Sequence, residues 1–542
     1  MNNSSTEHRT RTTPPTRRTA LRALALTGVL AAVSLSAPPP AALASAALAS
    51  AGRAPDTYTL TIRHLDRAGL ATDDYLTHVT GISGPGAAVE ESPHDPSGTV
   101  TLRLPRGRYL LDSTLHGADP AAGTDWIVQP RLDLTGDTTV TVDARRTALV
   151  DVRPPEPGAR HRSGLGFVEV THEGRTRSAN ILAGSPNLRV AHLGPAAEPG
   201  SVKQWFDTYW SGTNADYALG YTFTSARALT GLVRHPAASA LATVKIRGAA
   251  PDRTAGTAFV AIQPSAGPTI GLSQPLKRPG TATVLVTPER GRWDVDYTAP
   301  AGPGTRPNQY SAHGFAVRAG ATTTHTFDNA VFGPAPDTSP GARPAGVRDG
   351  ARLALDIPLL ADGDGHAPGS PRFHGATTTL HRNGVLVGTR EGAPGRAEFT
   401  TTPGRAAYRL ITTATHGTGP AAGGRATAAW TFTSAATSRP TALPLSTVRF
   451  APALALDGTA PARTLVRVPV TVQGAAARTG VRSLTVSVSV DNGATWTRVP
   501  VADGRTTFRT PAPGRTVSLR AALVDTAGNT LTQTLRNAYR TR

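Results

Sequence analysis

The sequence predicts an all-β chain of tandem β-sandwich modules. Three observations carry that reading. Thr and Val fill short alternating runs such as "TYTLTIRHLD" (57–66), the pattern of strands that bury one face. The 55 Gly and 46 Pro punctuate those runs, as frequent turns require. Helical periodicity is scarce beyond residue 50, and 542 residues exceed one ordinary domain.

Residues 1–51 read as an export signal peptide. Arg9, Arg11, Arg17, Arg18 and Arg22 give a positive start, and "LALTGVLAAVSL" (24–35) is an apolar stretch too short to span a membrane. Small-residue cleavage patterns follow at Ala42–Ala44, Ala47–Ala49 and Ala49–Ala51. The pair Arg17-Arg18 loosely resembles a twin-arginine signal, and the general secretory route stays equally open. No later segment is apolar over about 18 residues, so no membrane span is expected and the mature protein should be secreted and extracellular.

The chain carries 56 basic and 37 acidic residues, a formal charge of +19, which becomes +15 once 1–51 is removed. Only Lys203, Lys245 and Lys277 are lysines; the other cations are arginines. They are scattered through strand-like runs, as in "TLRLPRGRY", so they predict a solvated basic surface and no nucleic-acid partner. An anionic wall polymer fits the same balance. The sequence holds no Cys, which excludes disulfides, thiol catalysis and cysteine-ligated metal centres.

Four mature regions are expected. Residues 57–147 form a first β-sandwich, with "GTVTLRLPRGRYLLDSTL" (98–115) as a hairpin that turns Tyr109 inward beside Leu111. That pattern resembles small transthyretin-like or carboxypeptidase-regulatory-like sandwiches. Residues 148–345 form a larger β region of one or two modules, ending in the Pro/Gly-rich "GPAPDTSPGARPAG" (333–346), which reads as a linker or long loop. Residues 347–437 form another sandwich, with Asn383-Gly384 as a tight hairpin turn. Residues 443–542 carry the strand rhythm of an immunoglobulin- or fibronectin-like sandwich.

Taken together, "YTLTIRHLDRAG", "GTVTLRLPRGRYLLDSTL", "VQPRLDLTGDTTVTVDARR" and "TVSLRAALVDTAGNTLTQTLRNAY" resemble the region that follows the catalytic domain in secreted actinobacterial subtilisin-like serine peptidases. The resemblance covers most of 57–542 and implies accessory modules. The peptidase unit of that family needs a Ser nucleophile, a His base and an Asp that orients it. Here no G-T-S motif and no Asp-Ser/Thr-Gly strand end occurs, and "HGTG" (416–419) falls in a Gly/Pro-rich loop. The leader also runs directly into the first module, which leaves no room for a catalytic domain.

No nucleotide-binding, metalloprotease or nucleophile-elbow motif is present, so no enzyme activity and no cofactor are expected. "DGDGH" (362–366) reads as a tight turn before it reads as a calcium loop. His366, His374 and His381 are spaced by eight and seven residues, and an odd step changes strand face, so metal ligation is not expected. The aromatic run "KQWFDTYWSGTNADYALGYTF" (203–223) offers a choice. Trp205, Tyr209, Trp210 and Tyr217 serve either as core or as a ligand-facing patch, and they are the sequence's best candidates for ligand binding.

Near the C-terminus, "SVDNGATW" (489–496) fits the S-x-D-x-G-x-T-W pattern of the Asp-box found in sialidases. In a propeller that motif recurs about every 40–50 residues. Here it occurs once, so it reads as a structural hairpin in which Asp491 accepts turn amides, Gly493 takes positive φ and Trp496 covers the base. The expected function is a secreted, non-catalytic binding or accessory protein whose partner is a cell-wall polymer or an extracellular protein. The alternatives are a subtilisin-family member or remnant and a glycan-active enzyme.

Overall fold

A computed structural model describes residues 56–117, 122–251, 256–300, 307–337, 341–417 and 424–542. The leader expected at 1–51 lies outside them. The described chain is all-β, and residues 55–542 cluster as one unit.

The N-terminal half is a stack of sheets. The first sheet has three strands, with Thr57–Leu65 antiparallel to Thr99–Pro105 and parallel to Thr138–Asp143. The second has seven, including Tyr75–Ser83, Gly107–His116, Thr124–Leu134 and Leu188–His192. The third also has seven, with Arg160–His172, Val202–Ser211 and Asp216–Ser225 near one end and Thr322–Phe327 at the other. The fourth has four strands, among them Gly256–Pro264 and Arg292–Ala299.

The cores show how these sheets stack. Leu60, Ile62 and Val140 of the first sheet pack with Tyr109, Leu111 and Ile127 of the second. Leu110, Trp126 and Val128 leave the opposite face of that second sheet and pack with Val168, Phe206 and Leu219 of the third. Tyr209, Val244 and Ile246 leave the third sheet's other face and meet Val260, Trp293 and Tyr297 of the fourth. The central strands of the second and third sheets are therefore covered on both sides, and Gly107–His116, Thr124–Leu134 and Val202–Ser211 are buried along nearly their whole length. The second sheet also takes Ala148–Val152 and Leu232–Arg234, so it crosses the expected boundary between 147 and 148.

The C-terminal half is organised by one nine-stranded sheet. Its inner face is covered by two four-stranded sheets, one built around Gly346–Asp349 and Arg352–Asp356, the other around Ser446–Phe450 and Leu465–Gly474. Strand Arg425–Ser434 pairs with Thr530–Thr541, from Arg425↔Arg536 to Thr431↔Thr530. That seam joins the regions expected at 347–437 and 443–542 into one sheet over one core. Trp430 sits at the seam, fully buried, and its Nε1–H donates to the Ser446 carbonyl at 2.7 Å.

The two halves meet at a buried polar junction. The expected linker begins inside it: Gly333, Pro334 and Ala335 are buried, following buried Ala330, Val331 and Phe332, and Gly333 bridges to Ala361. The "DGDGH" turn is here too. The buried Asp362 carboxylate accepts from the backbone N–H of Asp328 at 3.1 Å and of His366 at 2.9 Å, and it contacts His366 Nδ1 at 3.0 Å. Arg449 donates to the carbonyls of Asp362 and Gly333. Arg278 is 1% exposed and pairs with Asp328, which also accepts from the Tyr310 hydroxyl at 3.0 Å.

Two predictions follow from this architecture. Trp430→Ala should cost about 3–5 kcal/mol, the range for deleting a core Trp. Residues 346–542 should still lose hydrogen-exchange protection in a single transition; separate transitions on the two sides of the seam would refute the shared core. The second concerns His366. Burial pulls its pKa down, but the charge and hydrogen bond of Asp362, with the charge of Asp364, outweigh that and the net shift is upward. A His raised in the folded state stabilises fully below its unfolded value of about 6.5 and loses that contribution as pH rises through the folded value. Burial raises Asp362 as well, a carboxyl that the wild type and His366→Gln share. The stability advantage of the wild type over His366→Gln should therefore shrink between pH 6 and pH 8.5 in denaturant titrations; an advantage that is flat with pH would count against the assignment.

Candidate binding surface

The aromatic run at 203–223 is core, which corrects the expected ligand-facing patch. Trp205, Tyr209, Trp210 and Tyr217 are 8%, 3%, 9% and 7% exposed. The reason is the stack. Strands Val202–Ser211 and Asp216–Ser225 have the second sheet over one face and the fourth over the other, so residues on both faces leave water over Gln204–Trp210 and Tyr217–Tyr221. Three of the four polar tips have side-chain partners, Tyr209 with Thr269 at 3.4 Å among them. Trp210 Nε1 donates to Thr208 Oγ1 at 3.1 Å, and the Tyr217 hydroxyl donates to Glu156 at 3.1 Å. Trp205 packs edge-on to Phe167, with ring centres 5.9 Å apart.

Beside Trp205, Asp207 is also buried and contacts Arg290 at 3.1 Å. Burial raises the Asp207 pKa to about 7 against the pull of Arg290, and burial lowers that of Arg290. A Cβ on Gly220 would fall 2.3 Å from Asp207 Oδ1 and 2.7 Å from Arg290 Cγ, so the pair needs a glycine on the neighbouring strand. This ion pair ties strand Val202–Ser211 to the short 3-10 helix Pro288–Arg290, and both side chains are almost fully buried.

The three His of 366–381 separate. His366 stacks on Phe327 at 4.4 Å in the junction, while His374 is exposed and His381 half-buried on strand Phe373–Arg382. His416, of "HGTG", stacks on Phe332 at 3.7 Å. Among the described residues, no group of His, Asp and Glu has metal-holding geometry.

The hairpin at 489–496 is built from its own side chains. Asp491 accepts from Ser489 Oγ at 2.6 Å, from the Thr495 N–H at 2.9 Å and from Thr495 Oγ1 at 2.5 Å. Ser489 Oγ in turn accepts from the Gly493 N–H at 2.8 Å. Asn492 and Gly493 take φ of 61° and 85°. These bonds, that of the Ser489 hydroxyl first and then those of Thr495, hold the Asp491 carboxyl well below the usual carboxylate range. Trp496 Nε1 donates back to the Gly493 carbonyl at 3.1 Å.

This hairpin borders the outer face of the nine-stranded sheet. The guanidinium of Arg520 lies 3.9 Å from the Trp496 ring centre. A Cβ on Gly493 would be 3.1 Å from Arg536 Nε, so the turn packs against that side chain. Arg536 is directly opposite Arg425 across the seam, and Arg498 follows on the returning strand. Arg425, Arg498 and Arg536 are exposed. Burial and the neighbouring Arg536 lower the Arg520 pKa. These four cations were not singled out from sequence. Their signal is the alternation in "RATAAWTFTS", "TVSLRAALVD" and "TLTQTLRNAY", where every second residue faces outward.

No family model matches the chain, and no curated protein matches it. Solved structures that align with it include the Bacillus anthracis TIE protein, at 12% identity over half of each chain with a TM-score of 0.12. Another is BcpA, the major pilin subunit of Bacillus cereus, at 8% identity over 50% of this chain and 99% of that one, TM-score 0.13. The FN1–FN3 domains of chicken CNTN1 align at 12% identity over 63% of this chain and all of that one, TM-score 0.13. Similarity at this level carries no functional argument.

Asp491→Ala should raise amide exchange at Gly493 and Thr495 on the order of tenfold while leaving the global melting midpoint nearly unchanged, since local openings are independent of global unfolding. Because its folded pKa is depressed, the hairpin's protection should persist at neutral and mildly acidic pH and be lost only as pH falls through that low value. Unchanged exchange in the variant would show that the carboxylate does not hold the turn.

Proposed function

We propose that the protein acts outside the cell as a non-catalytic multidomain β scaffold that binds a cell-envelope polymer. The observation that carries this reading is where the charges sit. The buried ones are spent on structure: Asp207 with Arg290 inside the stack, and Arg278 with Asp328 and Asp362 with His366 at the junction. The outer face of the nine-stranded sheet, in contrast, presents cations beside an ordered hairpin. Surfaces of this kind recognise ligands through rigidly held side chains, with no need for convergent acids and bases. The leader-like 1–51 and the +15 charge of the remainder support export and an anionic target. No helix among the described residues is long and apolar enough to cross a membrane.

The resemblance to the post-catalytic region of subtilisin-like peptidases supports a second reading, in which the partner is a separately encoded peptidase. Purified residues 52–542 should co-sediment with bacterial envelope material and leave casein and glycan substrates uncut. Turnover that disappears on a point substitution would overturn the non-catalytic reading, and failure to sediment with the envelope would overturn the binding target.

A further inference from the structure

The outer face of the nine-stranded sheet has a regular chemistry. Across it, Thr413, Thr427, Thr534, Arg520, Ser487 and Arg498 stand in register on six successive strands. All are at least partly exposed. Some of their hydroxyls already pair sideways, as Thr413 with Thr427 at 3.1 Å, which fixes their positions in a row. One step along the strands, Arg425 and Arg536 add two adjacent guanidiniums. At about 4.8 Å per strand, the cations from Arg425 to Arg498 extend over roughly 19 Å.

Several arginines elsewhere in the chain have carboxylate partners: Arg108 with Asp133 and Glu198, Arg352 with Glu398, Arg396 with Asp356. Among the described residues, no carboxylate forms an ion pair with Arg425, Arg498, Arg520 or Arg536. The one large aromatic at this end is Trp496, and Arg520 already covers its ring. A polymer that binds by stacking its rings or bases would find few platforms. A flexible chain of phosphodiester-linked polyols needs only what the face offers: hydroxyls for its hydroxyls, and guanidiniums that fit phosphate oxygens two at a time.

We propose that this face, centred on Arg425, Arg520 and Arg536 beside the Trp496 hairpin, is a binding site for a linear polyol-phosphate polymer of the cell envelope. The proposal rests on the reading of the protein as an envelope-binding scaffold and adds the ligand class and the site. The hairpin is the wall at one side of the site. Asp491 holds the turn, the turn holds Trp496, and Trp496 holds the Arg520 guanidinium over the sheet.

The test uses residues 52–542 and immobilised poly(glycerol phosphate), with affinity measured against salt. The Arg425→Gln/Arg520→Gln/Arg536→Gln variant should bind at least about tenfold more weakly, with a shallower salt dependence, as expected when phosphate contacts are lost. A control that removes the same charge from exposed positions elsewhere, Arg63→Gln/Arg175→Gln/Arg318→Gln, should bind like the wild type. Neither triple should melt below the wild type, since removing opposed like charges is not destabilising; if the first does, Arg425→Lys/Arg536→Lys, which keeps charge but loses the bidentate fork, should give an intermediate loss. Equal loss in the two triples would mean that net charge alone drives binding and would overturn the site. Duplex DNA or a carboxylated polysaccharide bound as tightly as the polyol phosphate would overturn the ligand class. If the protein sediments with envelope material but ignores poly(glycerol phosphate), this inference falls while the scaffold reading stands; if it binds neither, both fall.

Discussion

Where both faces of the second and third sheets are withdrawn from water, each backbone amide must find its partner along the sheet. A buried charged side chain there needs a partner too, as Asp207 has in Arg290. This constraint organises the N-terminal half. It makes Trp126, Phe206 and Tyr209 core from opposite faces of their strands. It turns Asp207 and Arg290 into a pair that cannot lose one member cheaply, because the survivor would be a buried lone charge at about 3–5 kcal/mol. It also sets the role of Gly220, whose missing side chain is the space those two groups occupy. A chain without cysteine has no covalent alternative, and the stack gives it large apolar contact areas.

The junction between the halves follows the same logic with different chemistry. Sheets end there, so backbone groups at the ends lack ladder partners, and side chains take their place. Asp362 gathers the N–H groups of Asp328, Asp364 and His366, while Arg449 and Arg278 gather carbonyls from Asp362, Gly333 and Ala249. The apolar Phe327 and His366 rings stack across the same point. Because both directions of hydrogen bonding are supplied by buried groups, the start of the expected linker, Gly333 to Ala335, is pinned where Gly and Pro alone predict a loose connection.

The parts of this architecture legible in the sequence are the local ones. Strand Thr57–Leu65 alternates because its sheet has one open side, and Asn383-Gly384 turns the chain with φ of 49° and 84°, as the dipeptide requires. The SVDNGATW hairpin is likewise encoded within eight residues, since each of its stabilising groups lies within four positions of its partner. Sheet membership was not legible. Nothing in the period of Ala148–Val152 or Leu232–Arg234 says which distant strand it joins. The aromatic run at 203–223 misleads for the same reason: residues on both faces of a strand look like a patch until a sheet is placed on each side. Arg425, Arg520 and Arg536 meet only because three separate strands align, so scattered arginines in the sequence become neighbours in the fold.

The outer face of the nine-stranded sheet carries one feature that stability does not account for. On the inner face, opposed polar groups are complementary: Thr378 meets Thr412 at 2.8 Å, and Gln533 both donates to and accepts from the Val448 backbone. On the outer face, Arg425 opposes Arg536 directly, and Arg520 lies one strand further on. Like charges facing each other across a strand pair are destabilising. Hydrogen bonding does not offset this within the row, since Arg520 has only a 3.4 Å contact with Thr534. An anion seated across these guanidiniums would remove the repulsion and use the donors left open. The local cost and the expected ligand therefore concern the same three side chains, and the well-capped hairpin at Asp491 keeps them in place for it.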